Sequence, residues 1–239
     1  MKAVRVKEYG GPEVMAYENI DIPELGEHDA LVKIEASGIN YIDTYQRSGL
    51  YQIPLPATLG LEAAGTVEEV GSSVSQFKVG DRVAYTSVPG AYAEYAAVPE
   101  AKLVGLPDSI SFNEGAAAML QGCTAHYLCK STFLVKDGHH CLIHAAAGGV
   151  GLLLIQMVKN AGGFVIGTCS TKEKAELAKA AGADEVILYS EQDFEEEVKQ
   201  ITDGKGVDVA YDSVGKTTFE KSINCLSRLG YMVLYGNAS

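Results

Sequence analysis

The stretch His144-Ala145-Ala146-Ala147-Gly148-Gly149-Val150-Gly151 joins an apolar run, Cys141 to Ile143, to a long apolar stretch from Leu152 to Val158. Its reading decides the fold. The order is strand, glycine turn, helix start. Such a turn brings the free backbone N–H groups of a helix N-terminus against an anion, and it needs small residues where a pyrophosphate approaches the main chain. The pattern is A-x-G-x-x-G (Ala146, Gly148, Gly151) and predicts a dinucleotide site. The alternative is a tight turn whose glycines only let helix and strand pack closely.

Outward from the turn, strands and helices alternate. Cys141 to Ala146 is a predicted strand and Val150 to Ala161 a helix, apolar on nearly every face. Phe164 to Cys169 is a strand and Lys172 to Ala181 a helix. Glu185 to Leu188, Val207 to Asp212 and Tyr231 to Tyr235 read as further strands, with helices at about 191–202 and 217–227. This rhythm predicts a doubly wound parallel sheet of right-handed βαβ units. Before about residue 120 the chain is instead dense in glycine and proline, with short β-rich runs such as Ala30 to Ile34, Gly65 to Val70 and Arg82 to Tyr85. Two domains follow, a β-rich one over 1–120 and a dinucleotide-binding one over 121–239.

Composition narrows the function. The 239 residues are 47% hydrophobic and 21% charged, as in ordinary globular proteins. The formal charge of −12 opposes binding to nucleic acid or to an anionic membrane surface. No segment reads as a signal peptide or a membrane span, so a cytoplasmic location is expected. Five cysteines without C-x-x-C spacing read as buried thiols of a reducing compartment.

Cofactor choice is written where the second strand of the nucleotide domain ends, at Gly167-Thr168-Cys169-Ser170-Thr171-Lys172-Glu173-Lys174. No carboxylate ends the strand to take a ribose 2′-hydroxyl. Ser170, Thr171 and Lys174 can bond and neutralise a 2′-phosphate at the next helix start, which predicts NADPH. The competing reading makes Ser170-x-x-Glu173 a capping box with Lys174 solvated.

The linked motifs Gly10-Gly11-Pro12-Glu13-Val14, Gly38-Ile39-Asn40-Tyr41-Ile42-Asp43-Thr44-Tyr45, Arg47-Ser48-Gly49-Leu50-Tyr51, Gly60-Leu61-Glu62-Ala63-Ala64-Gly65, Val79-Gly80-Asp81-Arg82-Val83, the glycine turn and Tyr211-Asp212-Ser213-Val214-Gly215 resemble one family along the whole chain. It is the zinc-free quinone oxidoreductase branch of the medium-chain dehydrogenase/reductases, to which zeta-crystallin is related. The resemblance implies an α/β protein with a GroES-like β-rich domain followed by a Rossmann-type doubly wound parallel sheet. The family's polypeptide continues past the strand ending here at Tyr235-Gly236-Asn237, so the implied sheet is truncated before its last strand. Zinc-dependent relatives place a Cys ligand where this chain has Gly38-Ile39-Asn40 and a His ligand where it has Leu61. No metal is therefore expected, and His28, His126, His139, His140 and His144 have no metal-ligand spacing.

The resemblance also implies the site. Asn40, Tyr41, Ile42, Asp43, Thr44 and Tyr45 surround the nicotinamide and its ribose, with Asn40, Tyr45 and Tyr51 as the catalytic set. Tyr45 and Tyr51 face the acceptor, where a phenol offers a flat face to a quinone ring and an O–H to its carbonyl. The competing reading for both tyrosines is packing, and for Asn40 and Asp43 a helix cap or turn. Thr124 and Tyr127 touch the nicotinamide side. Gly148, Gly149 and Val150 meet the pyrophosphate, Ser170, Thr171, Lys174 and Tyr189 the adenosine end, and Ser213, Gly236, Asn237 and Ala238 the far ribose. The implied enzyme transfers hydride from NADPH to a small quinone without metal. An enone or enal reductase and a nucleotide-binding but inert chain are the alternatives. Full-length members of the family are expected to be homodimers.

Overall fold

The computed structural model describes residues 1–239, which form two compact units, Met1–Leu120 and Gln121–Ser239. No helix is long and apolar enough to cross a membrane.

The first unit comprises β1 (Lys2–Val6), β2 (Met15–Asn19), β3 (Asp29–Ser37), α1 (Tyr41–Ser48), β4 (Ala57–Thr58), β5 (Glu62–Val70), β6 (Arg82–Thr86), β7 (Tyr95–Pro99), β8 (Leu103–Gly105) and most of α2 (Phe112–Tyr127). All its strand pairs are antiparallel, in one sheet ordered β2-β1-β4 and another ordered β7-β3-β5-β6-β8. Small and β-branched side chains, among them Ala30, Val32, Ala63, Val67 and Val83, close the core around the fully buried Tyr85. The two helices lie in a stretch whose glycines and prolines read as turns and strands. α1 forms there because Asn40 and Asp43 make a reciprocal capping box at its start, and Gly49, at φ 84°, ends it in the left-handed conformation that glycine adopts freely.

The second unit contains β9 (His140–Ile143), α3 (Gly149–Asn160), β10 (Phe164–Cys169), α4 (Lys172–Ala180), β11 (Glu185–Leu188), α5 (Phe194–Ile201), β12 (Val207–Asp212), α6 (Phe219–Asn224) and β13 (Leu226–Leu234). Its sheet is wholly parallel in the order β11-β10-β9-β12-β13. Alternation along β9 shows why helices cover both faces. Cys141 and Ile143 pack with Leu154, Ile155 and Val158 of α3, whereas Leu142 packs with Phe194 and Val198 of α5. The winding reverses between β9 and β12, the place where open parallel sheets bind ligands.

Several boundaries differ from the sequence reading, most by one residue; α6, read at about 217–227, is shorter because β13 already begins at Leu226, and three others have a local cause. β9 stops at Ile143 because Ala145, at φ 49°, already turns the chain. α5 starts at Phe194, where the Asp193 side chain caps it by accepting the Glu195 N–H at 3.0 Å. β13 begins at Leu226, five residues early, because Leu226 pairs with Val207 ahead of an irregularity in the ladder.

Candidate functional site

The glycine turn is pinned to the sheet on both sides. The His144 N–H donates to the Tyr211 carbonyl at 3.0 Å and the Ala146 N–H to that of Thr168 at 3.1 Å. α3 then starts behind Gly148 with no side-chain cap, and the Leu152 N–H makes its first regular turn, to the Gly148 carbonyl at 2.9 Å. The N–H groups of Gly149, Val150 and Gly151 precede that bond and have no helical carbonyl to reach. A Cβ on Gly151 would stand 2.6 Å from the carbonyl oxygens of Ala145 and Ala146, so only glycine lets the helix enter so close to the turn. A Cβ on Gly149 would collide with the Gln121 amide, which therefore lies directly on the turn. The sequence reading missed Gln121, for which nothing in the linear pattern gave a signal.

At the end of β10 the Lys174 ammonium donates to Ser170 Oγ at 3.3 Å. The cap of α4 is Thr171, whose Oγ1 accepts the Lys174 N–H, and not Ser170 as the capping-box reading had it. That reading fails because Thr171 holds the extended N-cap conformation, which puts Glu173 in the first turn. Glu173 is exposed, and backbone and Thr171 hydrogen bonds hold its carboxyl below the usual range. Tyr189 is exposed nearby in sequence order after β11. The last residues run alongside the end of β12. The Tyr235 N–H donates to Asp212 O at 2.9 Å, the Ala238 N–H to Ser213 O at 3.3 Å and the Ser239 N–H to Val214 O at 2.9 Å, which brings Ser213 together with Gly236, Asn237 and Ala238. Thr124 is half-buried and Tyr127 exposed on the second half of α2.

In the first unit, Asn40 is buried and both of its ends are engaged. Its backbone N–H donates to Asp43 Oδ2 at 2.9 Å, and its Nδ2 donates to Glu62 Oε2 at 2.7 Å. The fully buried Glu62 also accepts the Leu120 N–H at 2.6 Å. Asp43 Oδ2 accepts the Tyr92 hydroxyl at 2.5 Å, while its Oδ1 is buried without a partner. Burial raises the carboxyl groups of both Asp43 and Glu62, against hydrogen bonds that lower them. Asn40 thus positions the start of α1. Tyr45 is also buried, its ring 5.3 Å from that of Tyr41 and 5.1 Å from that of Tyr51. Tyr41 and Tyr51 are exposed, and Ile42 and Thr44 are half-buried.

A network not foreseen from the sequence lies under the carboxyl ends of β9, β10 and β12. Buried His144 pairs with Thr168 Oγ1 at 3.0 Å through Nδ1 and with Ser222 Oγ at 2.8 Å through Nε2. The only local signal was a polar residue directly after an apolar strand.

No group of three or more His, Cys, Asp or Glu side chains is placed to hold a metal ion. Glu62 is already engaged by Asn40 and Leu120, and its neighbour is the apolar Leu61. These donors do not fit a zinc ion.

Residues 26–108 match the alcohol dehydrogenase GroES-like domain and residues 149–239 the zinc-binding dehydrogenase domain. A quinone oxidoreductase of Pseudomonas aeruginosa is 50% identical across all of this chain, which spans 74% of that protein. The crystal structure of Escherichia coli quinone oxidoreductase complexed with NADPH superposes with a TM-score of 0.98 at 46% identity, over 100% of this chain and 74% of that one. A 2-haloacrylate reductase of a Burkholderia species is 43% identical over 99% of this chain and 73% of its own length. Matched along its whole length by relatives of this similarity, the chain belongs to the quinone oxidoreductase branch of the medium-chain dehydrogenase/reductase family.

Proposed function

We propose that this protein is an NADPH-dependent quinone oxidoreductase acting on small quinones. The observation that carries the reading is the uncapped start of α3, where Gly149, Val150 and Gly151 present N–H groups beside a turn that admits only small residues. Gly148, Gly149 and Val150 bind the pyrophosphate. Ser170 and Lys174, already in contact at 3.3 Å, take the 2′-phosphate with Thr171 beside them, and Tyr189 covers the adenosine end. Ser213, Gly236, Asn237 and Ala238 hold the far ribose. Asn40, Tyr41, Ile42, Asp43, Thr44 and Tyr45, with Thr124 and Tyr127, position the nicotinamide. NADPH supplies a hydride when bound. Tyr51 offers its exposed ring and hydroxyl to the acceptor, and the buried Tyr45 supports that ring from behind. Charge developing on the acceptor oxygen is met by hydrogen-bond donors, with no metal.

The 43% identity to a 2-haloacrylate reductase favours one second reading, hydride addition to a conjugated C=C on the same scaffold. Steady-state rates with a naphthoquinone and with a 2-alkenal separate the two. Faster oxidation of NADPH by the quinone supports the first reading. Stoichiometric NADPH binding with neither acceptor reduced overturns both and leaves a nucleotide-binding protein. A cytoplasmic setting completes the proposal; the homodimer is expected of full-length family members, and sedimentation analysis tests whether this chain forms one.

A further inference from the structure

His144 is spent on other protein groups and belongs to none of the contacts proposed above. Besides the imidazole, Ser222 Oγ faces two groups that can only accept, the Thr218 carbonyl at 2.8 Å and Asp212 Oδ2 at 3.4 Å, which assigns its one hydroxyl hydrogen to the nearer of them. Ser222 Oγ therefore accepts, and His144 Nε2 carries the proton and donates to it. The other ring nitrogen, Nδ1, accepts from the Thr168 hydroxyl. The ring is sealed by Phe194, whose edge meets it with centroids 4.9 Å apart. Burial pushes the imidazole down to about 4, against a smaller opposing effect of the Asp212 carboxylate, so it is neutral at physiological pH.

His144 and Thr168 sit at the roots of two loops, and Ser222, inside α6, reaches a third. His144 immediately precedes the glycine turn. Thr168 stands two residues before Ser170. Ser222 donates to the Thr218 carbonyl, and Thr218 in turn donates its hydroxyl to Oδ2 of Asp212 at 2.7 Å, while Asp212 Oδ1 accepts the N–H groups of Val214 at 2.7 Å and Gly215 at 3.0 Å. His144, Ala145, Thr168, Tyr189, Phe194 and Thr218 line a cavity of about 360 Å³.

We propose that His144 is a positioning residue for the adenosine half of the dinucleotide: its two hydrogen bonds hold the glycine turn, the Ser170 loop and the 213–218 loop at the spacing the ligand requires. This rests on the nucleotide reading given above. The imidazole suits the task because it donates at one end and accepts at the other, so a fixed strut spans two hydroxyl groups across the switch point of the sheet. An aliphatic residue would fill the space without setting the distance.

The test uses the full chain and two probes, 2′,5′-ADP for the adenosine half and nicotinamide mononucleotide for the other, with binding measured by calorimetry. His144→Phe keeps a ring against Phe194 and removes both hydrogen bonds. Thr168→Val and Ser222→Ala each remove one and keep the histidine, so the proposal stays testable if the first variant does not fold. The expected result is a loss of roughly tenfold or more in 2′,5′-ADP affinity for His144→Phe and a smaller loss for each single-bond variant, with mononucleotide affinity within about twofold of the parent. Folded variants that bind 2′,5′-ADP as the parent does, with only a lower melting temperature, overturn the proposal. A parent chain that binds neither NADPH nor 2′,5′-ADP overturns the nucleotide reading itself, which distinguishes the two failures.

Discussion

Asn40 Nδ2 lies 2.7 Å from the carboxylate of Glu62, a side chain with no exposure to solvent. The two residues are 22 apart in sequence and join the start of α1 to β5. A buried carboxylate keeps its place only while its donors remain, and the donors only while it does. Glu62→Ala strands the Asn40 amide and the Leu120 N–H together. We expect a loss of about 3–5 kcal/mol in unfolding free energy, measured by urea titration. A variant within about 0.5 kcal/mol of the parent would show that water serves these donors equally well.

Cofactor preference is expected to follow Lys174. The parent should bind NADPH more tightly than NADH, and Lys174→Ala should remove at least about tenfold of that difference by deleting one charge-assisted contact. Equal affinities of the two cofactors for the parent chain would remove the role assigned to the Ser170–Lys174 pair.

The tyrosines should separate by burial. Tyr45→Ala deletes a buried ring wedged between two others and should cost about 3–5 kcal/mol of stability. Tyr51→Phe touches an exposed phenol and should leave stability unchanged while lowering turnover with quinone roughly tenfold, NADPH affinity being kept. Unaltered quinone kinetics in Tyr51→Phe and Tyr51→Ala would take the acceptor contact away from this residue.

Metal removal is expected to have no effect. Elemental analysis should find no stoichiometric zinc, and chelator treatment should leave turnover as it was. One zinc per chain would require ligands other than those gathered around Glu62.

Acid should act on the two units with opposite signs. His144 goes from an ordinary 6.5 to about 4 on folding, so its contribution is complete above pH 6.5 and is lost as the pH falls toward 4, where the folded state also takes the proton. Between pH 7 and 5 this is worth on the order of 2 kcal/mol. Asp43 and Glu62 are raised, so their contribution is complete at low pH and is lost as the pH rises through their folded values. Urea midpoints at pH 7 and pH 5 should therefore fall less in His144→Phe than in the parent. An equal fall in both would assign the acid sensitivity elsewhere.

Legibility in the sequence followed the range of the interactions. The bounds of β10, β11 and β12 are plain because a short, mostly apolar and β-branched run bordered by turn residues already describes a buried parallel strand. The glycine turn is equally local. α2 was hidden by its glycines and small residues and α1 by the glycines and prolines on either side of it, and α1 is secured by a capping box that a turn reading explains equally well. Asn40 read as a cofactor or catalytic residue or as a helix cap, and the cap is present; the bond of its amide to Glu62, 22 positions on, left no local trace. The His144 network could not be read at all, because its partners lie 24 and 78 residues away.

The central place of β9 bears on how the molecule is made. Its first residue, His140, hydrogen-bonds through its N–H to Asp208, 68 residues downstream at the start of β12. At roughly 5–20 residues per second the ribosome needs on the order of 3–14 s to deliver that partner. Through that interval the middle strand of the future sheet has β10 on one side and a bare apolar edge on the other. Nascent chains stalled between β11 and β12 should therefore be the ones that chaperones hold longest.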